Sequence, residues 1–90
     1  MGKKQYLVKL PRDLHEQVKM TVDYISKNTE DAKDRLVCRQ ILRKIPDPPR
    51  KDSIIDYVQM QLSPQEARTY NDIIDSAQLP GRLKAMEMVR

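Results

Sequence analysis

Gln5-Tyr6-Leu7-Val8-Lys9-Leu10-Pro11-Arg12-Asp13-Leu14 is the stretch whose reading decides the fold. Tyr6, Val8 and Leu10 alternate with Gln5, Leu7 and Lys9. A period of two puts the first three on one side of an extended segment and the others on the opposite side. Pro11 ends the run, because proline has no N–H for a sheet ladder. The pattern predicts one short β-strand at the start of the chain. A lone strand cannot satisfy its own backbone hydrogen bonds, and no second strand is expected further on. Pairing with the same strand of a second chain is the economical solution. Tyr6, Val8 and Leu10 then form the core of a homodimer.

Beyond Pro11 the period changes. Leu14, Val18, Val22 and Ile25 recur at helical spacing, with Asp13, Glu16, Lys19 and Asp23 on the wet side. This predicts a helix to about Lys27. Asn28 and Thr29 interrupt, and Thr29 is expected to cap a second helix over Glu30 to Lys44. Its apolar stripe is Leu36, Val37, Cys38, Ile41, Leu42 and Ile45. Arg35, Arg39 and Arg43 share one outer row, and a solvated face explains them better than a phosphate-tracking one.

Three prolines in Pro46-Asp47-Pro48-Pro49-Arg50-Lys51 make a stiff connector. Ser53 is expected to cap a third helix carrying Ile54, Ile55, Val58 and Leu62. Ser63-Pro64-Gln65-Glu66 is a capping box with proline at the first helical position. The helix it opens aligns Ala67, Tyr70, Ile74 and Ala77, and Pro80-Gly81 breaks it. Leu83, Met86 and Val89 continue at helical spacing over Arg82 to Arg90. That stretch lacks a closing cap, as a fragment of a longer chain or a fraying end would. The expected division is 1–45 for dimerisation and DNA binding, 46–52 as connector, and 53–90 as a helical extension.

Composition bounds the function. The chain has 90 residues, 39% of them hydrophobic, with no Trp and no Phe. Such a core is small, and association would relieve the deficit. No apolar run approaches a membrane span or a signal-peptide core, so a soluble, cytoplasmic protein is expected. One Cys and one His exclude a disulfide framework and disfavour a zinc site. The expectation is no metal and no cofactor. Gly2 and Gly81 are the only glycines, which leaves no phosphate loop. His15 reads as an ordinary surface or boundary residue, and Cys38 as a buried thiol. Nothing argues for an enzyme. The net charge of +4 favours nucleic acid or an acidic protein surface.

The segment Gln5 to Leu14 resembles the opening of the ribbon-helix-helix family, and the resemblance extends over Lys3 to Ile45. It implies a mainly α-helical fold with one short N-terminal strand, dimeric, followed here by C-terminal helices. In that family paired strands of a dimer enter the major groove of double-stranded DNA. The outward residues Gln5, Leu7 and Lys9 would then contact bases, with Lys3 and Lys4 near phosphates. Gln suits adenine and Lys suits guanine. Leu7 stands where the family carries a polar residue, and Glu30 and Asp31 crowd the helix start that clamps a phosphate there. The implied function is sequence-specific DNA binding, as a small repressor of transcription or a plasmid- or phage-type accessory factor. The alternative is a non-enzymatic adaptor or inhibitor, a phage-type host-takeover or assembly factor. It would bind a protein partner through the C-terminal helices, with Met86, Met88 and Val89 in contact. RNA binding ranks third, because aromatic residues for stacking are scarce.

Overall fold

A computed structural model describes residues 4–88. In chain order the elements are β1 (Tyr6–Pro11), α1 (Arg12–Asn28), α2 (Ala32–Lys44), β2 (Tyr57–Leu62) and α3 (Pro64–Ser76). A 3-10 turn over Gly81–Leu83 and a short β3 (Met86–Glu87) follow. The three strands form one antiparallel sheet in the order β2-β1-β3. The protein is thus a small α/β domain with three helices on a three-stranded sheet.

The expected strand exists, but its partners are different. Tyr6 to Pro11 pair in unbroken register with Leu62 to Tyr57, while Tyr6 and Leu7 pair with Glu87 and Met86. β1 is therefore the central strand, with a neighbour from its own chain on each side. A ribbon made from two β1 strands has no edge left to form on. Val8 and Leu10 are fully buried in a core built by one chain, with Tyr6 packed at its margin. They are not dimer-core residues.

β2 corrects the expected helix from Ser53. Val58, Met60 and Leu62 alternate with Tyr57, Gln59 and Gln61, and the burial follows that period of two. Ser53 accepts a bond from the Ile55 N–H at 3.2 Å and makes only a turn. Ile54 and Ile55 remain exposed. Over the described part of the predicted final helix, the 3-10 turn and β3 stand instead. Val89, Arg90 and Lys3 lie outside the described residues.

The connector does not separate two cores. β1 precedes it, β2 and β3 follow it, and all contribute to one sheet. His15, expected near the surface, is 4% exposed, and its Nε2 donates to the Pro46 carbonyl at 2.6 Å. That bond ties the connector to α1.

The helices bury their predicted stripes with small changes. Val18 and Val22 of α1, and Val37, Cys38 and Ile41 of α2, are buried, whereas Leu36 is exposed. α2 begins at Ala32, and Asp31 rather than Thr29 caps it by accepting from the Lys33 N–H at 2.8 Å. Burial first, and then the nearby Asp34 charge, push the Cys38 thiol up from its ordinary value.

α3 starts with the predicted capping box between Ser63 and Glu66, and it buries Tyr70 and Ile74 while Ala77 is exposed. At its other end Gln78 takes a left-handed φ of 56°. Leu79 N–H bonds the Ile74 carbonyl and Gln78 N–H bonds the Asp75 carbonyl, which closes a Schellman motif.

Glu66 also pairs with Lys44 of α2. Burial by itself raises the Glu66 pKa, but Lys44 and the Ser63 groups outweigh it and hold the carboxyl below its ordinary value. A depressed folded pKa stabilises the fold above the unfolded value, and that stability is lost as pH falls through the folded value. Thermal melts of wild type and Glu66→Gln should differ at neutral pH and converge in acid. A gap that persists unchanged well below the carboxylate range would contradict this role.

Candidate nucleic-acid interface

The helices cover one face of the sheet and leave the other open. In antiparallel pairs, directly opposed residues point to the same face. Leu7, Gln61 and Met86 thus form one row, Lys9 and Gln59 the next, and Pro11 and Tyr57 a third. The Met88 N–H bonds the Gln5 carbonyl at 3.0 Å, which adds Gln5 and Met88 at the other end. Gln5, Leu7 and Lys9, picked from alternation, share this face. Lys4 stands at its margin and pairs with Glu87 at 3.4 Å.

The fold brings to them residues that sequence reasoning missed. Tyr57, Gln59 and Gln61 arrive on β2, and Lys9 Nζ lies 5.4 Å from the centroid of the Tyr57 ring. Such a cation–aromatic contact holds the ammonium over the open face. Arg12 begins α1, where its guanidinium donates to the Arg50 carbonyl while its Nε is buried without a partner. Arg82 and Lys84 come from the 3-10 turn and the link to β3. Lys84 bonds Asp75 of α3 at 2.8 Å.

β3 is too short to hold itself in place by its ladder. The Asn71 side chain on α3 accepts from the Ala85 N–H at 2.7 Å and donates to the Ala85 carbonyl at 3.5 Å. This amide acts as a surrogate strand for one residue. It fixes the backbone just before Met86, whose side chain is 72% exposed on the open face.

Two hollows mark this face. One of about 580 Å³ lies between Lys9, Arg12, Tyr57, Arg82 and the carboxylates Asp13 and Asp56. The other, about 360 Å³, lies among Leu7, Lys9, Arg82, Lys84, Met86 and Met88. Lys9 and Arg82 border both, so the hollows join in one shallow groove with cations along its middle. Its chemistry is hydrogen bonding through amides, charge pairing through Lys and Arg, and apolar contact through Leu and Met.

Other candidates fall elsewhere. Arg39 and Arg43 are exposed on α2, in the helical layer, and Arg35 donates to the Thr29 carbonyl at 2.9 Å. Asp31 occupies the α2 start with its own carboxylate. No group of three His, Cys, Asp or Glu side chains suited to a metal occurs among the described residues. No helix among them is long and apolar enough to cross a membrane. The chain matches no protein-family model, no curated protein and no solved structure.

Proposed function

We propose that the protein binds double-stranded DNA on the open face of its sheet, as a small non-catalytic repressor or accessory factor. One observation carries this reading: Gln5, Leu7, Lys9, Gln59 and Gln61 all project from the single sheet face that no helix covers. Three strands about 4.8 Å apart span roughly 10 Å, which suits a major groove about 12 Å wide. The ribbon needed for groove reading comes from one chain, with β2 taking the place of a second β1. Gln amides match adenine, Lys9 matches guanine, and Leu7 can meet a thymine methyl. Arg12 at one end of the groove and Arg82 along its middle would meet phosphates.

A gel-shift selection on random duplexes, followed by titration of the selected site, tests the reading. Lys9→Ala should weaken the selected duplex by roughly 1–3 kcal/mol and relax preference at one position. Gln5→Ala should act likewise at an adenine. Affinity for every duplex weaker than about 10⁻⁵ M at low salt, below ordinary non-specific binding, would overturn it.

A second reading has one observation in its favour. Leu7, Met86 and Met88 make an apolar end to the groove, and Met86 is largely exposed. Methionine adapts to irregular protein surfaces. Under an adaptor role, Met86→Asp would abolish partner binding while Lys9→Ala would matter little.

A further inference from the structure

Two backbone bonds fix which way each residue of the sheet turns its polar groups. Arg12 N–H donates to the Asp56 carbonyl at 2.7 Å, continuing the β1–β2 register. Met88 N–H donates to the Gln5 carbonyl on the β3 side. In an antiparallel ladder the hydrogen-bonded pairs recur at every second residue. Val58, Met60 and Leu62 therefore turn their N–H and C=O groups towards β1. Tyr57, Gln59 and Gln61 turn theirs outward, and no described residue pairs with them.

An open edge of this length is normally guarded by a lysine, a proline or a bulge. β2 has no such guard, and its register with β1 is uninterrupted. Tyr57 to Gln65 is the longest run without a charged residue in a chain that is 33% charged. Ahead of it, beyond Asp56, Ile54 and Ile55 stand exposed.

We propose that β2 pairs in antiparallel fashion with β2 of a second copy of this chain, centred on Gln59. The register is self-complementary. Gln59 faces Gln59 and Tyr57 faces Gln61, so every outward-turned residue meets another, and each facing pair closes two hydrogen bonds. Val58 comes opposite Met60 on the helix-covered side, so apolar and polar faces both continue across the junction. The same register sets Ile55 opposite Ser63 of the second copy, one residue past the end of its β2. Two chains that each carry +4 meet most easily along their longest uncharged stretch.

Pairing in the plane of the sheet leaves the open face uncovered. It also doubles the strand number, and six strands span about 24 Å. That exceeds the roughly 12 Å of a major groove, so the paired and groove-bound forms exclude one another. Dimerisation does not require DNA binding and is measured without DNA.

Sedimentation equilibrium of the full chain at tens of micromolar should give the mass of a dimer. Gln59→Pro removes an outward N–H and none that bonds β1, so it should keep the wild-type circular dichroism and halve the mass. Gln59→Lys sets two cations face to face on the axis and should also halve it. A wild-type chain that stays monomeric at near-millimolar concentration overturns the proposal. So does a dimer that survives both substitutions.

Discussion

Aspartate in place of Val8 should leave the chain unfolded at room temperature. Val8 has no exposed surface, sits at the middle of the central strand and faces the helices beside Met60. A carboxylate there has no cation within the core. An uncompensated buried charge costs several kcal/mol, and the lost burial of valine adds about 1.5–3 kcal/mol. A domain of this size has only about 5–15 kcal/mol in hand. Lys9→Asp is the control, because the next residue along the same strand points to the open face. Circular dichroism should show a coil for Val8→Asp and a folded spectrum for Lys9→Asp. A Val8→Asp chain that melts cooperatively near the wild-type temperature would contradict the position assigned to β1.

Reversing both Lys9 and Arg82 to glutamate should remove the proposed DNA binding while the fold persists. These two side chains border both hollows, so their reversal replaces two cations along the middle of the groove with two anions. Phosphate contacts dominate affinity, and the loss should reach roughly a hundredfold or more at low salt. Lys9→Glu/Arg82→Glu and wild type are compared by fluorescence anisotropy on the same duplex. The matching reversal at Arg39 and Arg43 of α2 should cost far less, since that row lies in the helical layer. Equal losses from the two pairs would mean that net charge, rather than this face, governs binding.

Much of this arrangement can be read from residue order, and the part that cannot has definite causes. The alternation in β1 separates Val8 and Leu10 from Leu7 and Lys9 without any tertiary information. The Ser63–Glu66 capping box likewise announces α3, because its bonds are local. β2 is harder. Ile54, Ile55, Val58 and Leu62 also fit a helical face, and Ser53 resembles a cap. Gln and Met are weak strand formers, so the alternation of Tyr57, Gln59 and Gln61 with Val58, Met60 and Leu62 is easily overridden. What selects the strand is pairing with β1, a long-range interaction.

With β2 overlooked, β1 has no partner within the chain, and a two-chain ribbon follows from that single omission. β3 is less legible still. Two residues carry no periodicity, and the Asn71 amide that holds Ala85 reaches across fourteen residues. Half of the candidate interface depends on these two strands. That is why Gln5, Leu7 and Lys9 are apparent in the sequence, whereas Tyr57, Gln59, Gln61 and Arg82 are not.

The most direct test of the central claim is backbone-amide and methyl NMR of the labelled chain, titrated with a duplex chosen by selection. Shifts should move first at Gln5, Leu7, Lys9, Gln59, Gln61 and the Met86 methyl. Val18, Val37 and the outer face of α2 should stay still. Perturbations gathered on α1 and α2, with the open face of the sheet unmoved, would contradict the account.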